Sequence, residues 1–191
     1  GSNNPAGIEP MDTRDTVSFA PFTTSKDLFA MLIFLLAFVI ITMYAPNYLG
    51  HPDNYIPADP LITPAHIVPE WYFLPFYAIL RAIPDKLMGV IAMISSIAVL
   101  GLLPWLDLSK VRSSVFRPIW KQCVFLFVLD FFILMYVGGM PAEGVYVLIS
   151  RVGTAYWFLF FLVIAPLVSL TEKTLPMPKS IHEYEDWKKQ G

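Results

Sequence analysis

LFAMLIFLLAFVIITMY, Leu28 to Tyr44, runs for seventeen residues without a charged side chain. A helix rises 1.5 Å per residue, so a run of about this length crosses most of a bilayer core of roughly 30 Å. Three more stretches have the same character: Leu87 to Leu106, Ile119 to Val137 and Val152 to Leu170. Ser25 and Asp27 supply an N-cap and a first-turn acid for the first run, and Pro46 stops it. Pro84 and Pro104 bracket the second, and Pro166 inside the fourth is tolerated where neighbouring helices satisfy the freed carbonyl. The composition agrees: of 191 residues, 56% are hydrophobic and only 15% charged, and the mean hydropathy is +0.59. Disorder is excluded, and an all-α membrane protein with four transmembrane helices is expected. A net charge of −2 leaves no polybasic surface for nucleic acid. One cysteine, Cys123, rules out an internal disulfide and any CxxC motif.

Lysine and arginine set the orientation. Arg14 and Lys26, four residues from Lys110 to Lys121 and four from Lys173 to Lys189 make ten on one side, against Arg81, Lys86 and Arg151 on the other. The richer side is the inner one. The chain then reads as an inner segment (1–27), a first span (28–46), an outer loop (47–86), a second span (87–106), an inner loop (107–118), a third span (119–137), an outer loop (138–151), a fourth span (152–170) and an inner tail (171–191). The first 27 residues are polar and proline-bearing, without the apolar core of a cleavable signal peptide.

The long outer loop holds seven prolines, eight with Pro46 just before it, which restrict the chain to a defined extended path. Within it, EWYFLPFYAILR at Glu70 to Arg81 predicts a short amphipathic helix, too short to span, lying in the interface or packed beneath the loop. Glu70 opens it after Pro69 and shares a face with Tyr77, seven residues on. A carboxylate at such a half-apolar surface suits a proton acceptor, and equally suits the positive end of a helix dipole. Asp130, mid-way along the third span, must be neutral, paired or facing a cavity; a proton path and a hydrogen bond between helices are both open. Lys26 and Asp27 fit interfacial anchoring and capping. Trp157, Phe158, Phe160 and Phe161 read as packing or lipid-facing rings. His51, His66 and His182 lie outside the spans with no helical pair spacing, so no intramembrane bis-histidine haem site and no metal site is expected.

Pro69-Glu70-Trp71-Tyr72 with its continuation FLPFYAILRAIPDKLMGV closely resembles the signature of the cytochrome b family, the membrane core of the respiratory quinol:cytochrome c oxidoreductase. Further likenesses run in order along the chain: GSNNPAGI at Gly1 to Ile8, GHPDNYIPADPLITPAHIVPEWY through the outer loop, FRPIWKQC at Phe116 to Cys123, and Gly138-Gly139 before Pro141. The resemblance covers essentially the whole chain and implies its C-terminal half, a fragment or a split-gene product. The two haems b would then be ligated by the N-terminal half, and this chain would work as one subunit of an oxidoreductase and not alone. The implied chemistry is bifurcated oxidation of ubiquinol. One electron goes to a Rieske iron-sulfur protein, and the other crosses through the haems to reduce ubiquinone at the inner surface.

By the same resemblance the quinol-oxidation site takes Ile67, Pro69, Glu70, Trp71, Tyr72, Phe73 and Tyr77, with Glu70 accepting a proton and Tyr77 donating a hydrogen bond. The quinone-reduction site takes Ser2, Phe19, Lys26 and Asp27. Implied partners are the N-terminal half, the Rieske protein, a cytochrome c-type subunit and a second copy of the complex. The implied location is the bacterial inner membrane ahead of the mitochondrial one. The competing readings are a four-helix transporter, which should show a second intramembrane charge or broken helices, and a purely structural membrane subunit.

Overall fold

Every regular element among the described residues is helical. A computed structural model describes residues 4–11, 15–48, 50, 52–57, 59, 61 and 67–190. The chain divides into two units, Gly1–Pro64 with Pro178–Gly191, and Ala65–Met177. Four helical stretches are long and apolar enough to cross a membrane: Phe19–Tyr44, Lys86–Leu106, Pro118–Gly138 and Val145–Thr171.

The first unit contains helix α1, Thr24–Tyr44, preceded by a wide turn over Phe19–Thr23. The helix starts before the expected cap. The Ser25 hydroxyl donates back to the Pro21 carbonyl and that of Thr24 to the Phe19 carbonyl at 3.1 Å, so both serve carbonyls and neither caps a free N–H. All along α1 the apolar side chains stay exposed, as expected of a helix whose solvent is lipid.

The second unit is built around a short helix. Helix α2, Leu74–Ala82, packs against α3 (Lys86–Leu106), α4 (Pro118–Gly138) and α5 (Val145–Leu159), and buries Pro75, Ala78, Ile79 and Ala82. The amphipathic segment of the outer loop therefore packs into the bundle. Two glycines permit this. A Cβ at Gly138 would run into the Leu74 carbonyl oxygen, and one at Gly89 would stand 2.5 Å from that of Leu80. Asp85 caps α3, accepting from the Met88 N–H at 2.8 Å.

Helix α5 begins at Val145, seven residues ahead of the uncharged run, because Arg151 has a partner that lets a charge sit in the helix: its Nε donates to the Ala82 carbonyl at 3.0 Å. The helical path widens over Phe160–Ile164, where the Ala165 N–H reaches back five residues to the Phe160 carbonyl, and continues as α6, Ala165–Thr171. This wide turn sits directly before Pro166 and absorbs its missing donor.

The aromatic residues of the fourth span form the core. Phe76 of α2 lies 5.8 Å from Trp157, Phe127 of α4 lies 4.9 Å from Trp157 and 4.4 Å from Phe160, and Trp120 lies 5.9 Å from Phe160. The indole of Trp157 donates to the Ser96 carbonyl at 3.2 Å, which ties α5 to α3.

At the far end of α3 the packing turns ionic. Arg117 is fully buried; it donates to both Asp107 oxygens at 2.9 and 3.0 Å and to Glu172 at 3.4 Å, and its guanidinium lies 4.6 Å from the centre of the Trp120 ring. Glu172 also accepts the Ile119 and Trp120 N–H groups at 2.6 and 3.1 Å, satisfying the orphan donors that open α4. The final helix, α7 (Ile181–Gln190), belongs to the first unit and carries a stacked Tyr184–Trp187 pair.

Candidate functional site

The residues from Ile67 to Arg81 form one local construction. Glu70 is extended (φ −56°, ψ 153°) and precedes a single tight turn, Trp71–Phe73, whose Phe73 N–H bonds the Glu70 carbonyl at 2.9 Å. Proline before Glu70 favours this entry, and Pro75 sits in the first turn of α2 where its missing N–H costs nothing. The expected helix thus begins as a tight turn and becomes α-helical only at Leu74.

The rings of Trp71, Tyr72 and Phe73 form a run at 5.7 and 5.5 Å, and all three remain exposed. Phe73 leads into the core through Phe76 at 6.0 Å. The Glu70 carboxylate is exposed and has no hydrogen-bond or ion-pair partner among the described residues. Glu70 does not cap the turn that follows it. The Tyr77 hydroxyl donates to the Ile67 carbonyl at 3.4 Å, joining two of the expected site residues through a long and replaceable bond.

The geometry offers an unengaged carboxylate, a phenol held at the end of its hydrogen-bonding range and a sheet of apolar rings. That set can receive a flat, partly apolar molecule, donate a hydrogen bond to its oxygen and take up a proton.

The second group of expected residues lies in the other unit. Lys26 and Asp27 fall in the first turn of α1, where a carboxylate is favoured by the helix dipole, and both are exposed. Phe19 lies in the wide turn just before, also exposed. Ser2 is outside the described residues, as are His51 and His66.

Asp130 is buried on α4 opposite Gly153 of α5, and its Oδ2 has no partner among the described residues. Sequence reasoning missed four basic or acidic residues that build these ends: Arg81, which faces the Tyr77 ring, the buried Arg117, and its partners Asp107 and Glu172. The four-residue spacing of Tyr77 and Arg81 was a usable signal for the first; no spacing marks the last three.

The family model described as "Cytochrome b(C-terminal)/b6/petD" matches residues 57–158, just over half the chain and including all of the Ile67 to Arg81 construction. The chain belongs to this family. It is 57% identical to cytochrome b of Rhodospirillum rubrum over 94% of its own length and 44% of that protein. It is 55% identical to cytochrome b of Rickettsia bellii over 95% of its length and 45% of the relative. A solved chain of a "Hyperthermophilic respiratory Complex III" superposes with a TM-score of 0.82 at 33% identity, covering 90% of this chain and 44% of that one. The chain therefore spans slightly less than half the length of the cytochromes b it matches. With four candidate spans, it is a multi-pass membrane protein of the cytochrome b family.

Proposed function

We propose that this chain supplies the C-terminal part of the cytochrome b subunit of a quinol:cytochrome c oxidoreductase in a bacterial inner membrane. Its working site for quinol oxidation is the construction from Ile67 to Tyr77. The observation that carries the reading is the pairing of an exposed, unengaged Glu70 carboxylate with Tyr77, whose hydroxyl is held to Ile67 by a bond long enough to exchange for a substrate oxygen. The rings of Trp71, Tyr72 and Phe73 give the quinol head an apolar surface. Oxidation removes two electrons and two protons from the quinol; Glu70 takes one of the protons, and Tyr77 holds the oxygen as charge develops on it.

The ten-to-three distribution of basic residues favours this site on the outer side and Phe19, Lys26 and Asp27 on the inner, where Asp27 would hydrogen-bond a quinone carbonyl. The haems b carry one of the electrons when bound. By the family resemblance an N-terminal half would hold the haems, with a Rieske protein, a cytochrome c-type subunit and a second copy of the complex as further partners.

The test is Glu70→Gln in the assembled complex. Quinol-dependent reduction of cytochrome c should fall about 10²-fold, the scale of one lost general base, with haem content and assembly near normal. Wild-type turnover would remove Glu70 from the mechanism.

A further inference from the structure

Tyr77 is gripped twice, by two groups that do different things. Its hydroxyl reaches the Ile67 carbonyl at 3.4 Å, and its ring is faced by Arg81, one turn further along α2, with the guanidinium carbon 5.0 Å from the ring centre. That distance is within the range over which a cation is attracted to an aromatic face.

The position of Arg81 is fixed from elsewhere. One terminal nitrogen donates to the Met140 carbonyl at 2.8 Å and the other to the Gly138 carbonyl at 3.3 Å. The Gly138 carbonyl ends α4 and that of Met140 lies just past it, where orphan acceptors and the negative end of the helix dipole favour a cation. Among the described residues no carboxylate competes for Arg81. The guanidinium is therefore held from the end of α4 while it faces the Tyr77 ring.

We propose that Arg81 is a positioning residue for quinol oxidation: it transmits the place of the α4 terminus to the Tyr77 ring and so aims the Tyr77 hydroxyl at the substrate oxygen. The inference rests on the reading of Tyr77 as a hydrogen-bond donor to quinol. Arg151 gives the contrast. It also braces α2, donating to the Ala82 carbonyl at 3.0 Å, yet that partner is a backbone group at the helix end and not the ring. A residue that only holds the helix should behave like Arg151. A residue that aims the hydroxyl should matter only while there is a hydroxyl to aim.

This difference can be measured as a cycle in the assembled complex, reading kcat and KM for quinol in Tyr77→Phe, Arg81→Met, Arg81→Lys, Arg151→Met and the doubles that add Tyr77→Phe. Arg81→Met keeps the alkyl stem and should lower kcat/KM about tenfold, the order expected for a lost cation–ring contact and a mis-aimed donor. Arg81→Lys restores a charge near the ring with one carbonyl bond and should recover part of that loss. The double Tyr77→Phe/Arg81→Met should be no slower than Tyr77→Phe, whereas any loss from Arg151→Met should multiply with it.

Full multiplication of the Arg81→Met loss onto Tyr77→Phe would make Arg81 a mere brace and overturn the inference. So would wild-type kinetics in Arg81→Met. Should Arg81→Met fail to assemble, the same cycle with Arg81→Lys decides, by the same two criteria. Wild-type kinetics in Tyr77→Phe would instead remove the donor role itself, and with it the reading on which this inference stands.

Discussion

The two ends of the Ala65–Met177 unit solve the same problem with opposite charges. Helix termini leave carbonyls or N–H groups without partners, and in a membrane protein water does not readily replace them. Around α2 two helix ends are C-terminal and arginines serve them, Arg81 on the carbonyls of Gly138 and Met140 and Arg151 on that of Ala82, while Asp85 caps the start of α3. At the start of α4 the orphan groups are N–H, so Glu172 serves them and is itself held by the buried Arg117. The consequence is chemical. At the Arg117 end both carboxylates are engaged, whereas at the α2 end cations hold the C-terminal carbonyls, Asp85 caps α3, and Glu70 has no partner among the described residues. On the proposed reading, such a carboxylate is free to take the quinol proton.

The sharpest break of this comparison is Arg117→Met. It leaves Asp107 and Glu172 as carboxylates around a buried gap, and removing one partner of a buried ionic group costs about 3 to 5 kcal/mol. The complex should fail to accumulate, or unfold at a much lower temperature in detergent, as followed by the loss of intact complex on native gels. Near-normal stability would mean that water reaches Arg117 and that the two ends are less different than their burial implies.

Next in size is Gly138→Ala. The added methyl meets the Leu74 carbonyl, a backbone atom that can yield only if α2 moves, so about 1 to 3 kcal/mol of stability should be lost. The same displacement shifts a carbonyl that holds Arg81. Quinol turnover should therefore drop by more than the loss of assembled complex explains, which haem-normalised kinetics would separate. Equal losses would make Gly138 a packing residue only.

Much of this was readable beforehand, for physical reasons. The four spans announce themselves because lipid demands uninterrupted apolar helices, and the segment from Glu70 to Arg81 stands out because it is charged at both ends and too short to cross. The placement of α2 inside the bundle was not readable. It depends on Gly89 and Gly138 permitting backbone contact, and nothing local distinguishes them from Gly101 in the same sequence. Arg117 was counted as one of ten inner-side charges, a use of sequence that treats every cation as solvated, yet it is fully buried. Arg81 and Arg151 entered the same count on the other side, and both turn out to bond carbonyls at helix ends. Basic residues on the poorer side of such a count are worth examining one at a time, because they are there despite the bias.

The smallest expected effect has the opposite sign. Gly101 lies in α3, exposed, and a Cβ built there meets nothing within 4 Å. Alanine is favoured over glycine in a helix interior by roughly 0.5 to 1 kcal/mol, so Gly101→Ala should leave quinol turnover unchanged and raise the unfolding temperature slightly. The pair Gly101→Ala and Gly138→Ala then tests whether backbone proximity to α2, and not glycine content as such, controls the site. If Gly101→Ala instead lowers stability, some other chain must approach α3 closely at Gly101. That face would then join the two helix ends as a place where the assembled complex constrains this chain.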